Sequence, residues 1–230
     1  MNMKDRWTKT MGHGKKFKYS LLLFGITLFA TGSGCGPSAG AWLYTLGMVP
    51  KQKVKAEYKL PQGPILILVD DDLDLIQPPL AGKILVDELA KEFKKHDITD
   101  HVTTNKEIAK IRQQESNFDQ RGAREIGRLA DADTVIWIST KQFFVPKELE
   151  MTASPAKFTV ALKVINSRAE TREDVRLWPP YREGKILDVT ISPHQIMSWK
   201  THADAHEKLA QAMADKIIKL FHDYEIDPYN

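Results

Sequence analysis

Apolar and polar positions after residue 63 alternate in a way that predicts strands interspersed with helices. Residues 65–69 (ILILV) form a continuous apolar run of strand length, which is typical of a strand buried on both faces. A helix is predicted from Leu80 to His96, because apolar residues recur on one side of it. Its inner face carries Ile84, Leu85, Leu89 and Phe93, whereas Lys91, Lys94 and Lys95 lie outside or near its carboxyl end.

The middle of the chain predicts a short strand and two shorter helices. The strand falls at residues 100–103. Thr104 and Glu107 have the spacing of a capping box, in which each side chain can bond the other residue's backbone N–H at the start of a helix. Residues 121–130 predict the second helix, with an apolar side formed by Ile126, Leu129 and Ala130.

The last third predicts three strands and a long helix. Residues 134–139 read as a buried strand that continues to Phe144, and residues 157–166 alternate as a half-buried strand does. Residues 186–190 predict one more strand. The helix opens with a capping pattern at Thr201 and runs to about Asp223, with an apolar stripe of Leu209, Met213, Ile217, Leu220 and Phe221.

This order predicts an α/β (α+β) fold, with a mixed sheet of about four to five strands and helices packed on it. Residues 145–155 are expected to be a loop. The segment 64–230 is about 165 residues long, enough for one sizeable core.

The amino-terminal pattern differs, and it predicts a signal peptide over residues 1–34. A basic stretch precedes Leu21–Ala30, and Thr31–Gly34 is small and flexible. The apolar segment is too short for a stable span, because about 14 helical residues reach roughly 21 Å and a bilayer core is about 30 Å thick.

Cys35, the single cysteine of the chain, follows this segment directly. It cannot form an internal disulfide, and an exposed free thiol is a liability. The segment resembles the lipobox of bacterial lipoproteins: Ser33 and Gly34 match it, and Gly32 departs from the usual Leu. The resemblance implies that Cys35 carries diacylglycerol and becomes an amino terminus with three acyl chains, such as palmitate. Two or more chains hold a protein stably on a membrane. The alternative is an incidental buried thiol.

Residues 35–63 are expected to be a lipid-anchored tether. Their apolar side chains either pack on the domain or lie at the lipid interface, where Trp and Tyr are favoured. The side chains concerned are Trp42, Leu43, Tyr44 and Leu46.

Charge is unevenly distributed and gives little support for nucleic-acid binding. The formal net charge is +3, but residues 1–20 hold six basic groups and one acidic group. The remainder has 27 basic and 29 acidic side chains, a net charge of −2.

Candidate chemistry is sparse. The acidic run after the first strand (Asp70, Asp71, Asp72 and Asp74) lies where open α/β sheets bind ligands, and clustered carboxylates there can hold Mg²⁺. The alternative is that Asp70 caps the strand and the others solvate a turn before Pro78. No phosphate-binding glycine loop follows, so no metal site and no cofactor is predicted.

Two other groups have a functional and a structural interpretation. His202 and His206 are four residues apart on a predicted helix, with His194 nearby in sequence, and could share a metal. The alternative is two solvated histidines. The cluster Trp178–Tyr181 is either a binding rim or a loop packed against a sheet edge.

Residues 128–136 (RLADADTVI) pass from a helix straight into an apolar strand, and residues 160–166 (VALKVIN) form a later strand, followed by Leu177–Pro179. This arrangement is similar to small α/β envelope lipoproteins, most of all to uncharacterised lipoproteins of planctomycete-type bacteria. More distantly it resembles the amino-terminal domain of the Tol-system propeller protein, the curli-secretion lipoprotein and the penicillin-binding-protein activator lipoproteins. The resemblance implies an envelope protein that acts through partner contacts, and it transfers no catalytic residue.

The sequence therefore favours a non-enzymatic, lipid-anchored protein of the cell envelope that contacts an unidentified envelope partner. The absence of Asp after Cys35 implies, by the same resemblance, the outer membrane facing the periplasm. The alternatives are a metal-dependent hydrolase that uses the acidic run, and a subunit of an oligomeric secretion complex. The sequence does not fix the oligomeric state.

Overall fold

The computed structural model describes residues 51–71, 75–76, 80–149 and 153–227. Strands and helices alternate along this part of the chain, as the pattern predicts. The strands are β1 (Gln52–Val54), β2 (Ile65–Asp70), β3 (Val102–Thr103), β4 (Thr134–Phe144), β5 (Ala156–Asn166), β6 (Arg176–Trp178), β7 (Lys185–Ile191) and β8 (Tyr224–Ile226). The helices are α1 (Leu80–Lys95), α2 (Asn105–Gln114), α3 (Ala123–Leu129), α4 (Pro193–Ile196) and α5 (His202–Ile218), with a 3₁₀ turn at Phe118–Gln120.

Six of these strands form one mixed sheet, which confirms the predicted fold class. The order is β3-β2-β4-β5, and β6 and β7 both pair with the far edge of β5. β2 runs parallel to β3 and β4, whereas β5 is antiparallel to β4, β6 and β7. Because β2 has a strand on each side and cover on both faces, its sequence is the continuous apolar run of residues 65–69.

The first face of the sheet carries the larger core, under α1 and α5. Phe158, Leu162 and Ile136 project from the strands and are fully buried. Phe93 of α1 meets Phe221, just after α5, edge to face with ring centroids 6.0 Å apart. Burial of each such side chain contributes about 2–3 kcal/mol.

The second face carries a smaller core, under α2, α3 and the 3₁₀ turn. Leu66, Val135 and Ile165 of the strands pack against Ile126 of α3 and Phe118. The half-buried assignment of residues 157–166 is therefore wrong at Ile165, which is buried in this core, and at Ala161, which is buried outside it. Leu129, expected on the inner side of its helix, is 37% exposed.

The two faces receive unequal cover because their helices differ in length. α1 and α5 have 16 and 17 residues, or about 25 Å at 1.5 Å per residue, whereas α2 and α3 have 10 and 7. β4 and β5 have 11 residues each, which is about 35 Å. The short helices α2 and α3 cannot cover the whole length of these strands on the second face.

A second, two-stranded sheet joins β1 to β8 in antiparallel register. Tyr58, after β1, stacks on Trp178 with centroids 5.8 Å apart, and its backbone N–H donates to the carbonyl of Leu220 at 3.0 Å. The structure thus differs from the expected tether of residues 35–63, because the segment from Gln52 onward belongs to the folded unit. Its short, mostly polar strand has no apolar run that would mark it in the sequence.

Candidate functional site

The acidic run begins at the carboxyl end of β2, and two of its members have defined protein partners. The indole Nε1 of Trp137 donates to Oδ2 of Asp70 at 3.0 Å, across to the neighbouring strand β4. The carboxylate of Asp71 accepts the backbone N–H groups of Leu75 and Ile76 at 3.0 and 2.7 Å. These contacts orient both side chains within the protein. Asp72 and Asp74 lie outside the described residues.

No group of three or more His, Cys, Asp or Glu side chains has metal-binding geometry in the part of the chain that the structure describes. A cavity of about 220 Å³ does lie beside the end of β2, between α1 and α2. Its lining is mostly apolar, with Ile76, Val86 and Ile108, and it includes the cations Lys83 and Arg112. Arg112 already has partners within the protein, since its guanidinium lies 4.7 Å from the centre of the Phe118 ring and 3.4 Å from Asp119.

The histidines of α5 do not share one environment. His202 is exposed and its Nε2 lies 3.2 Å from the carbonyl of Pro146. His206 is only 4% exposed, with its ring centroid 4.9 Å from that of Phe143, and its Nδ1 has no hydrogen-bond partner. The prediction of two solvated histidines is therefore wrong for His206. Burial lowers the pKa of His206, and the nearby His202 lowers it further. His194 is exposed on α4.

The cluster Trp178–Tyr181 packs mainly against the domain. Trp178 pairs in β6 with Val164 and also meets Phe221 at 6.2 Å, and the Trp178–Pro179 peptide is cis. Pro179 is buried, whereas Tyr181 is 47% exposed. Trp178 and Pro179 therefore fit the interpretation of a loop packed against the sheet edge, whereas Tyr181 is exposed.

The largest feature that the sequence does not predict is an open sheet face. It is the part of the second face that α2 and α3 leave uncovered, over β4, β5 and β7. Cross-strand pairing aligns its side chains: Trp137 with Lys163, Ser139 with Ala161, and Ala161 with Ile186. The open sheet face comprises Trp137, Ser139, Lys141, Thr159, Lys163, Ile186 and Asp188.

Exposed and half-buried groups of different chemistry meet on the open sheet face. Ile186 is 52% exposed, the highest value among the large apolar side chains in the described ranges. The Nζ of Lys163 lies over the Trp137 ring, 4.7 Å from its centroid, which is cation–π geometry. Lys141 occupies a bulge in β4 and donates to Oγ of Ser139 at 3.0 Å. Such a bulge turns an extra side chain toward one face.

Four cations are named here the basic cluster: Lys141 and Lys163 on the open sheet face, Arg176 in β6 and Arg182 in the loop after it, whose charges all act on Lys163. Burial lowers the pKa of Lys163, and the positive charges of Arg176, Lys141 and Arg182 lower it further, while Glu183 acts in the opposite direction. Arg176 donates to the carbonyl of Tyr181 at 2.9 Å, which holds the loop bearing Arg182 against β6. The alternation of residues 157–166 signals the polar side of β5, but the short cover over it becomes apparent only in the structure.

Cys35 and the rest of the amino-terminal region through residue 50 lie outside the described residues. Among the described helices, none combines the length and apolar character needed to span a bilayer.

Comparison with protein-family models and with curated proteins gives no match. Solved structures give matches of low identity. The PelC dodecamer from Paraburkholderia phytofirmans is 10% identical with a TM-score of 0.42, and the match covers 76% of this chain and 99% of that one. Lipoprotein GNA1162 from Neisseria meningitidis is 12% identical with a TM-score of 0.40, covering 68% of this chain and 98% of that one.

The hypothetical protein CT253 from Chlamydia trachomatis is 14% identical with a TM-score of 0.40, covering 68% of this chain and 96% of that one. At this level of similarity, none of these structures assigns a role to any residue of this chain.

Proposed function

We propose that the protein is a lipid-anchored component of the cell envelope that acts through contacts with other proteins and not by catalysis. The observation that supports this proposal best is the open sheet face. A sheet face is ordinarily covered by helices or by another sheet, so an uncovered one is a candidate interaction site. Here Ile186 and Trp137 lie among Ser139, Thr159 and Lys163.

The location is supported by the sequence. The lipobox-like segment assigns the anchor to Cys35, and the folded unit begins at Gln52, 17 residues later. A chain of that length spans at most about 60 Å when fully extended. The domain therefore works close to the membrane surface. Gly36, which follows the cysteine, favours the outer membrane by resemblance to bacterial lipoproteins.

The test is crosslinking in cells with the full-length protein, followed by pull-down. We expect defined crosslinked products that are lost in Cys35→Ser, while that variant keeps its melting temperature. We also expect Ile186→Asp to remove the products. Met197→Asp is the matched control, because Met197 is 45% exposed outside the open sheet face.

Two outcomes would contradict the proposal. Products that persist in Cys35→Ser would mean that the anchor is not needed for contact. Products that persist unchanged in Ile186→Asp would mean that the open sheet face is not the contact surface.

A further inference from the structure

We infer that the open sheet face binds an acidic segment of a partner protein, with Lys163 at the centre of the contact. This inference rests on the proposed function and names the chemistry of the partner. Three observations carry it: cations without ion pairs, the groups between them and the partial burial of Lys163.

The four cations of the basic cluster have no ion pairs, a property that they share with most lysines and arginines of the described residues. Within the described residues, no carboxylate lies in ion-pair contact with Lys141, Lys163, Arg176 or Arg182. By contrast, Lys185 is paired with Glu57 at 2.6 Å and Arg121 with Glu115 at 2.6 Å. Lys141 and Arg176 do make hydrogen bonds, but to a hydroxyl and a carbonyl, which leave the charge uncompensated.

Three acidic side chains lie near the cluster. Asp70 accepts the indole N–H of Trp137, Asp188 lies on β7 opposite Thr159, and Glu183 follows Arg182 in the loop. Three cations lower the pKa of Lys163 and one acid, Glu183, raises it. A carboxylate from outside would therefore lower the electrostatic free energy of the cluster.

The groups that lie between the cations favour a peptide segment over a single phosphate group. Lys163 pairs with Trp137, and Lys141 is four residues farther along β4, a rise of about 13 Å along a strand. The ammonium of Lys141 turns back to Oγ of Ser139, so this separation applies to the backbone positions of the two lysines and not to their charges. Ser139 and Thr159 lie between them and can hydrogen-bond a backbone. Ile186 and the ring of Trp137 offer apolar contact.

The partial burial of Lys163 makes a specific contact possible. Its ammonium is held over the indole ring, so it loses less conformational freedom on binding than a free lysine does. A charged contact in such a half-buried place is also screened less by salt than one on the open surface.

The first experiment measures binding of a labelled octaglutamate peptide to the full-length protein in detergent by fluorescence anisotropy. We expect the double variant Lys141→Gln/Lys163→Gln to bind at least about tenfold more weakly. The control pair Lys106→Gln/Lys110→Gln, on the exposed side of α2, should stay within about twofold. Lys163→Arg should retain binding, since it keeps the charge. If the double variant shows no thermal unfolding transition and is therefore not folded, the single variant Lys141→Gln is tested in its place, because Lys141 is exposed.

Three results would overturn the inference. One is equal weakening by both pairs of substitutions, which would indicate a general attraction of charge. Another is an absence of peptide binding together with binding to vesicles of anionic phospholipid, which would indicate a lipid surface. The third is self-association that the double variant abolishes, which would indicate a second copy of this chain.

The second experiment separates this inference from the proposed function. A photoreactive phenylalanine analogue replaces Thr159 on the open sheet face or Lys94 on α1 in cells. Crosslinks from position 159 that disappear in Lys141→Gln/Lys163→Gln support the inference. Crosslinks from position 94 alone would leave the proposed function standing and overturn the inference. If the protein carries its lipid and neither position gives crosslinks, both the inference and the proposed function would be contradicted.

Discussion

Trp137 bonds Asp70 across two parallel strands, with its indole Nε1 3.0 Å from Oδ2 of the carboxylate. The contact links the acidic run after β2 to the open sheet face, because the face of the same indole ring carries the ammonium of Lys163. The acidic residue at the end of β2 thereby fixes the position of the aromatic ring at the centre of the proposed contact surface.

The coupling between these two residues can be measured by a double-mutant cycle. We expect Trp137→Phe and Asp70→Ala to be less than additive, with a coupling free energy of about 1 kcal/mol, because each substitution removes the same hydrogen bond to a charged acceptor. Chemical denaturation of the two single variants and the double variant gives this number. A coupling close to zero would mean that the bond does not form in solution.

Metal titration tests the alternative of a metal-dependent hydrolase. We expect millimolar Mg²⁺ or Ca²⁺ to leave the melting temperature unchanged, because the carboxylates of Asp70 and Asp71 are committed to N–H donors of the protein. Differential scanning calorimetry with and without the ion is the measurement. A rise that disappears in Asp70→Asn would instead support a metal site.

Two helical glycines should respond in opposite directions to the same substitution. A Cβ on Gly127 of α3 would lie 2.4 Å from Cγ2 of Val135 and 2.8 Å from Cβ of Ser167, so Gly127→Ala should destabilise the domain by about 1–3 kcal/mol. A Cβ on Gly82 of α1 would meet only Val69, at 3.5 Å, so Gly82→Ala should stabilise by up to about 1 kcal/mol. Urea denaturation compares them, and equal effects would contradict the close packing of α3 on β4.

Burial of His206 predicts a specific pH dependence of stability. Its pKa in the folded state is lowered below the unfolded value of about 6.5, so above that pH the residue is neutral in both states and contributes no slope. As the pH falls below about 6.5, the unfolded chain takes up the proton first and stability is lost, at up to about 1.4 kcal/mol per pH unit until the folded pKa is reached.

The measurement is the free energy of unfolding between pH 4.5 and pH 8 for the native chain and His206→Phe. We expect a shallower slope below about pH 6.5 in the variant. His194→Gln is the control, since His194 is exposed and should leave the slope unchanged. An unchanged slope in His206→Phe would show that another group is responsible.

The elements that the sequence predicts well are those whose cause is local. The apolar run of β2, the stripe of α5 and the capping box at Thr104 depend on neighbours in the chain, and the structure confirms all three. β1 could not be predicted in this way, because a three-residue polar strand exists only through its pairing with β8, about 170 residues away.

The candidate site was harder to predict from the sequence than the fold, because it depends more on tertiary packing. The polar side of β5 is visible in the alternation around Lys163, but whether helices cover it depends on the lengths of α2 and α3 and on where they pack. The burial of His206 could not be predicted from the sequence for the same reason. Nothing in the spacing of two histidines reveals that Phe143 lies against the ring of one of them.

The most direct test of the lipid-anchored role is the intact mass of the mature protein extracted from membranes. Our account predicts a polypeptide that begins at Cys35 and carries acyl chains on that residue, and it predicts that Cys35→Ser takes up no radiolabelled fatty acid. A mature chain that begins at another residue, or one in which the sulfur of Cys35 is unmodified, would contradict it.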